Sequence, residues 1–409
     1  MRTIESDILI IGGGAAGFFA AINCAENNPS YRIIILEGSN KVLSKVRISG
    51  GGRCNVTHAE YVPQDLVLNY PRGEKELLGP FHKFMTGDVI EWFESRGVPL
   101  KSEKDGRVFP VTDDSQTIID CFTNLVHRLG IEVITSQRVT NITNQGDRWE
   151  VETKERHFMA FKVMVATGSD VRMWNLLENL GHHIIPPVPS LFTFNIDDDR
   201  IRDLPGIAVD AKVRVVTKPP IPRLESSGPL LITHWGMSGP AVLKLSAWGA
   251  RILSECQYRF EIEVNWLGHR PMEKVLHDLK SARMYHGKHV VFAHPMFGIP
   301  RRLWQNLVVG PGIDEHHRWG EITGKNVDGL ATQLTRSIFS VNGKSTFKEE
   351  FVTAGGVDLK EINFRNFESK LRPGLFLAGE VLNIDAVTGG FNFQNAWTGA
   401  YLAARAMAE

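Results

Sequence analysis

The chain has 409 residues, beyond the usual limit of one apolar core, so two or three domains are expected. With 46 basic against 46 acidic side chains, 43% apolar and 22% charged residues, it has no global field favouring nucleic acid or an anionic membrane surface. Four widely spaced cysteines (Cys24, Cys54, Cys121 and Cys256), no apolar run near the ~20 residues of a membrane span and no leader pattern point to a cytoplasmic enzyme.

The first apolar run, residues 7–11, reads as a buried strand leading into Gly12-Gly13-Gly14-Ala15-Ala16-Gly17. In a dinucleotide-binding loop the first glycine permits the tight turn, the second lets the backbone touch a pyrophosphate, and the third lets helix and strand pack closely. Gly12, Gly14 and Gly17 hold those positions, and a helix from Ala15 would aim its N-terminal N–H groups at the phosphates. A second run, residues 32–36, ends at Glu37, 20 residues past Gly17, where a carboxylate accepts hydrogen bonds from an adenosine ribose. An adenine dinucleotide is the expected ligand.

A polar, glycine-rich loop is expected over residues 44–55, helices over 88–96 and 115–129, and a hairpin over 100–110 between them. Residues 131–134 and 149–153 read as strands, and 161–168 as a buried strand running into a tight turn. From about Pro186 the texture changes. Prolines gather at 186, 187, 189, 219, 220 and 222, and short alternating strands over 211–216 and 258–264 suggest an antiparallel β insert. Helical patterns over 272–284 and 300–336 suggest a helical piece nested within it. Buried-strand texture returns at 374–380, and a helix over 395–408 ends the chain.

Ala166-Thr167-Gly168 and Ala378-Gly379-Glu380 resemble the two strand ends that return to the flavin in flavoproteins of the two-dinucleotide-fold type. Ser49-Gly50-Gly51-Gly52-Arg53-Cys54-Asn55-Val56-Thr57 is similar to the signature of a bacterial flavoprotein family. Its members are labelled NAD(FAD)-utilizing dehydrogenases or aminoacetone oxidase family enzymes, and include a bile-acid reductase. Residues 106–110, 233–240, 353–357, 379–382 and 389–392 extend the likeness over nearly the whole chain.

The resemblance implies an α/β fold: a Rossmann-like FAD-binding domain of residues 1–189 and 351–409. An antiparallel β-barrel of residues 190–268 and 323–350 would be inserted in it, with a small helical domain of residues 269–322 nested inside. FAD is the implied cofactor, because Glu37 is placed for an adenosine ribose that FMN lacks. The implied binding set begins with Gly12, Gly14, Ala15, Ala16, Gly17, Glu37, Gly38, Lys45 and Val139. It continues with Ser49, Gly50, Gly51, Gly52, Arg53, Cys54 and Asn55, then Ala166, Thr167, Gly168, Gly379 and Glu380. Gly390, Phe391, Asn392, Phe393 and Gln394 complete it, opening the last helix so that its N–H groups face the end of the flavin where reduction places negative charge. One departure stands out. Family members follow Ala-Thr-Gly with a glycine, a proline and a Gly/Ser-rich stretch, whereas residues 169–182 here read as a continuous helix.

Single residues have competing readings. Arg53 and Asn55 meet the flavin or its phosphates, unless Arg53 is a surface ion pair. Cys54 is a packed thiol rather than half of a catalytic disulfide. Lys45 and Arg47 contact phosphates or solvate their loop. His234, at the tip of a β-insert strand, is a proton donor to substrate or holds its own turn. The other histidines are scattered without metal spacing. Without a second Gly-x-Gly-x-x-Gly loop, a dedicated NAD(P)H domain is not expected. The reading is an FAD-dependent oxidoreductase of an unidentified small molecule, transferring hydride through flavin N5, with NAD(P)H as a transient partner or oxygen as acceptor. The alternatives are an amine or aminoketone oxidase releasing peroxide, and a non-catalytic flavin- or nucleotide-binding sensor. No nucleic-acid or membrane partner is expected, and the oligomeric state is left open.

Overall fold

A continuous apolar run with no alternation suits a strand covered by helices on both faces. In the computed structural model, which describes residues 3–217, 224–345 and 352–409, the strand Thr3–Ile11 is such an element, with Ile8, Leu9, Ile10 and Ile11 all buried. It pairs in parallel with Ile33–Leu36 on one side (Ile10 opposite Ile35) and with His157–Val165 on the other (Ile10 opposite Met164). Glu132–Ile134 extends the sheet beyond Ile33–Leu36, and Leu375–Leu377, from the far end of the chain, adds in parallel to His157–Val165. The remaining strands of this nine-stranded sheet are antiparallel.

The chain divides into two compact units, residues 1–188 with 352–409, and residues 189–351. In the first unit the helices Ala15–Asn27 and Phe391–Ala408 pack side by side, with the Cys24 thiol donating to Ala404 O at 3.5 Å. Lys162 donates to Ala406 O (3.2 Å) and Met407 O (3.0 Å), placing a cation on the negative end of the last helix. Phe19 meets Phe84, Trp92, Phe122 and Trp397, with ring centroids 4.5–6.5 Å apart, so the first helix, the last helix and the segments between them share one aromatic core. The expected hairpin over 100–110 forms as Leu100–Ser102 and Arg107–Pro110, joined by Thr57–His58 into a three-stranded sheet. The helix expected after Gly168 runs over Val171–Asn179, capped by Asp170, whose carboxylate accepts from Arg172 N.

In the second unit a seven-stranded antiparallel sheet runs from Ser337–Asn342 through Arg259–Asn265, Ala208–Val215, Glu225–Thr233, Gly236–Ser238 and Thr193–Asn195 to Lys344–Ser345. The two ends of this path are one stretch of chain interrupted only at Gly343, whose carbonyl accepts from Asn195 N (3.0 Å), so the sheet curls back on the strand it starts from. The helices Met272–Tyr285, Arg301–Val309 and Gly324–Thr335 do not enclose a core of their own. Val275, Leu279, Trp304, Leu307 and Leu330 belong to the same buried cluster as Val213, Leu230 and Phe339 of the sheet.

Three further expectations change. The helix over 300–336 is two helices broken at Gly310-Pro311-Gly312, because proline lacks a donor and clashes with a preceding helical turn. The loop over 44–55 begins with a helical turn, Ser44 to Ile48. Val46 is buried there and Ser115 Oγ donates to Arg47 O (2.8 Å), anchoring the turn to the helix Ser115–Arg128. The last helix runs over Phe391–Ala408, longer than the pattern read over 395–408 and starting within the 390–394 stretch expected to open it. Pro219, Pro220, Pro222 and the boundary near 350 lie outside the described residues. No described helix is long and apolar enough to cross a membrane.

All four cysteines are free. Burial pushes the thiols of Cys24 and Cys54 up to about 12 from 9.0, so both stay protonated at neutral pH, while Cys256 is exposed. An Ellman titration of the folded protein at about pH 8 should therefore modify Cys256 rapidly and leave Cys24 and Cys54 unreacted until denaturant is added, because the thiolate is the reactive form. Rapid loss of either buried thiol without denaturant would contradict this packing.

Candidate functional site

Three glycines of the first loop do three different jobs. Gly12 has φ +117°, and a Cβ there would fall 2.4 Å from Ala166 O. A Cβ on Gly17 would fall 1.9 Å from Gly12 O, so the first helix seats on the strand end only without a side chain. Around Gly14, at the N-cap of the helix Ala15–Asn27, a Cβ would meet nothing within 4 Å. The cradle that a pyrophosphate would fill is open there. The first-turn N–H groups of this helix face it without intrahelical acceptors.

Glu37 stands over the same loop: Oε2 accepts from Gly13 N (2.9 Å) and Oε1 from Ser39 N (2.7 Å). Each oxygen keeps a second lone pair for a ribose hydroxyl. Gly38 lies 3.7 Å from Arg138, measured from an ideal Cβ, which brings the start of the strand Val139–Asn144 beside it. On the opposite flank, Gly379 (φ +79°) lies beside Ala16 and Ala396, whose Cβ atoms are 3.6 and 3.9 Å from the position its own Cβ would take. Glu380 Oε2 accepts from Lys45 Nζ at 2.5 Å and lies 3.9 Å from the Cβ position of Gly168. Ala15, Ala16, Gly168, Gly379, Glu380 and Lys45 thus form one contiguous lining.

Ser49 to Asn55 make the second lobe. Ser49 Oγ donates to Val46 O (3.1 Å), and Gly50, Gly51 and Gly52 all have positive φ. Gly51 and Gly52 face open space. Arg53 does not reach into it. Its guanidinium stacks on Phe109 at 3.9 Å and pairs with Glu103 (2.6 Å) and Asp113 (3.4 Å), so the ion-pair alternative is the one formed. Cys54 is fully buried at φ +61° with its thiol protonated, a packing residue. Asn55 is buried with Oδ1 unpartnered, 2.9 Å from the Cβ position of Gly390.

At the start of the last helix the side chains are taken up by the protein itself. Asn392 is taken up by Ala386, accepting from its N (3.0 Å) and donating to its O (3.3 Å). Gln394 accepts from Thr57 Oγ1 (2.5 Å) and donates to Thr398 Oγ1 (3.0 Å). Phe393 stacks on Trp397 and Phe391 on His58, with centroids 5.5 and 4.4 Å apart. These side chains hold the helix start in place. What they leave for a ligand is the backbone N–H groups of the first turn after Gly390 (φ +97°).

Sequence reasoning missed two groups. Asn395, 1% exposed, has neither Oδ1 nor Nδ2 satisfied, like the Oγ1 of the expected Thr167. His58 lies against the helix start through Gly389 O (3.0 Å) and the ring of Phe391. The only sequence signal for either was its place one residue outside a motif. With Asn55, these orphaned polar atoms and the open positions at Gly14, Gly51 and Gly52 fit a long polar cofactor such as FAD.

His234 sits in the turn between Glu225–Thr233 and Gly236–Ser238, exposed beside the exposed Trp235. Its imidazole holds no hydrogen bond among the described residues, so it does not fasten that turn. Also in this unit, a polar cavity of about 310 Å³ is lined by Lys212, Arg214, Arg270 and Arg336. The first three cations are already paired with Glu225, Glu263 and Asp278. In the first unit Glu150, Glu152 and His157 have metal-like spacing. They are tied to one another and to neighbours: His157 to Glu150 (3.2 Å), Gln145 to Glu150 (3.1 Å) and Asn141 to Glu152 (3.2 Å).

Residues 6–406 match the family model described as HI0933-like protein Rossmann domain. A 3-dehydro-bile acid delta(4,6)-reductase of Clostridium scindens is 27% identical over 412 residues, covering 98% of both chains. A ribosomal RNA dihydrouridine synthase of Haemophilus influenzae is also 27% identical, over 414 residues and 98% of both chains. Among solved structures, the 3-ketosteroid-delta4-(5alpha)-dehydrogenase of Rhodococcus jostii RHA1 shares the fold, with a TM-score of 0.51 at 13% identity over 99% of this chain and 97% of that one.

Gly14 and Gly17 separate binding from folding. Gly14→Val should leave the thermal stability of the flavin-free protein unchanged and abolish FAD retention. Gly17→Val should destabilise the flavin-free protein itself, by at least about 1–3 kcal/mol, because its side chain overlaps a backbone carbonyl. Calorimetry of both apoproteins checks this, and equal stability losses would remove Gly14 from the site.

Proposed function

We propose, from the premise that the chain belongs to the HI0933-like protein Rossmann-domain family and is an FAD-dependent oxidoreductase, that it reduces a carbon–carbon double bond conjugated to a carbonyl. The observation that carries the cofactor reading is the set of unpartnered buried atoms, Asn55 Oδ1, Thr167 Oγ1 and the Asn395 amide, together with the glycine openings at Gly14, Gly51 and Gly52 that no side chain fills. The bond class is supported by the relatives. A delta(4,6)-reductase of a 3-dehydro bile acid and a dihydrouridine synthase differ in substrate, yet both names describe saturating a ring double bond beside a carbonyl.

When bound, FAD supplies the hydride for such a reduction, itself recharged by NAD(P)H. The chain's residues do the rest. The N-terminus of Ala15–Asn27 and the Gly14 opening hold the pyrophosphate, Glu37 the adenosine ribose, and Glu380 with Lys45 the ribityl side. The helix start after Gly390 aims its N–H groups at the ring edge that gains charge. Saturation also needs a proton on the carbon next to the carbonyl. Cys54, fully buried with its thiol held protonated, is a packing residue and not that donor. Four free cysteines suit a cytoplasmic setting.

Anaerobic stopped-flow absorbance tests the reading. NADH or NADPH should bleach the bound flavin, and a 3-keto-Δ4 steroid or a uridine-containing ribosomal RNA fragment should restore its colour without oxygen. Recolouring by air alone with stoichiometric peroxide would favour the oxidase reading, and a flavin that never bleaches would favour the sensor.

Gly390→Val offers a separate check. Its side chain would overlap Thr57 O, 2.5 Å from the Cβ position, and push the helix start away. A helix N-terminus stabilises a nearby anion by about 0.3–2 kcal/mol. At about 30 mV per 1.4 kcal/mol for a two-electron couple, the potential of any flavin still bound should fall by up to tens of millivolts. An unchanged potential with full occupancy would place the helix start elsewhere.

A further inference from the structure

Half of the chain's 14 histidines lie within residues 269–317, in the helical part of the second unit. We propose that His286, His289 and His294 form a binding site for a divalent transition-metal ion of the zinc type. The three ring centroids lie 5.4 Å (His286–His289), 5.1 Å (His286–His294) and 5.2 Å (His289–His294) apart. A metal held by three imidazole nitrogens at about 2.1 Å with tetrahedral angles sets ring centres about 5 Å from one another. The triangle already has the size of a three-histidine centre.

Backbone hydrogen bonds set that triangle. His286 N donates to Ala282 O (2.8 Å) at the end of the helix Met272–Tyr285, His289 N to His286 O (2.8 Å) and His294 N to Val291 O (3.2 Å). The segment is clamped onto residues 317–320 by Val291 N to His317 O (2.9 Å), Trp319 N to His289 O (3.0 Å) and Gly320 N to Gly287 O (3.0 Å). The three Cα positions are therefore held whether or not the rings bind anything.

The side chains point to a ligand independently of the spacing. His294 Nδ1 is shielded from solvent and has no hydrogen-bond partner, a donor atom left vacant. The imidazoles of His286 and His289 are exposed and make no hydrogen bond or ion pair with another described residue. In the observed rotamers the nitrogens do not yet converge to ligand spacing. Rotation about the Cβ–Cγ bonds turns them inward, and the two exposed rings are free to make it. Three neutral imidazoles suit zinc, copper or nickel over calcium or magnesium, and leave a fourth position for water. Glu150, Glu152 and His157, by contrast, already bond to protein partners.

The test uses the full-length, FAD-loaded protein, stripped with EDTA and titrated calorimetrically with ZnCl2. Wild type should take up one equivalent. His286→Ala/His294→Ala should lose it, and His289→Gln should weaken it by roughly tenfold or more, since even outer-shell changes cost that much. Cobalt should give the intense visible bands of a tetrahedral site in wild type only. Unchanged circular dichroism and flavin absorbance separate lost ligation from misfolding. No uptake by wild type, uptake unaltered in both histidine variants, or uptake lost in Glu150→Gln instead would overturn the proposal.

Discussion

A Cβ on Gly17 would fall 1.9 Å from Gly12 O, and a Cβ on Gly12 would fall 2.4 Å from Ala166 O. Two backbone approaches without room for a methyl group thus bind the first helix to the first strand and that strand's end to its neighbour's. The site depends on this. Only because Ala166 is drawn against Gly12 does Thr167 come to the loop, and only because Gly379 lies beside Ala16 and Ala396 does Glu380 meet Lys45. Residues separated by hundreds of positions become one lining through contacts that carry no chemistry of their own.

The parallel sheet was legible in the sequence for a physical reason. A strand buried on both faces must be apolar throughout, and residues 8–11, 33–36 and 163–165 are. The glycine loop was legible because each glycine answers a steric demand that no other residue meets. The polar side chains were harder to read, because a polar residue in a motif has several possible partners and only the fold decides. Arg53 found Glu103, 50 positions away, and Gln394 found Thr57, 337 positions away. Long-range pairing of that kind leaves no periodic trace. The helical turn at Ser44 to Ile48 was hidden for the same reason, since Val46 is its one buried side chain.

Unpartnered atoms mark the remainder. A buried polar group without a partner costs about 1–3 kcal/mol, and Asn55, Thr167 and Asn395 each carry such a group. A cofactor that supplied partners to them would couple its binding to stability. Asn395 could not be singled out beforehand, because an asparagine in the second turn of a helix is usually solvated or bonded to the preceding turn. Its lack of both bonds is a property of the packed interior alone.

Substrate choice rests on a different kind of feature. A dinucleotide loop holds its ligand through backbone and glycines, whose demands are stereotyped, whereas substrates are commonly met by side chains on exposed turns. Nothing in folding requires those side chains, so the same framework can present different ones. That freedom agrees with two relatives of equal identity and coverage whose names give a bile acid and a ribosomal RNA as substrates. The segment after Gly168 belongs to the framework: the helix Val171–Asn179 carries Trp174 and Leu177 into the buried interior, and Trp174 Nε1 donates to Val381 O (2.9 Å), so these side chains answer to packing.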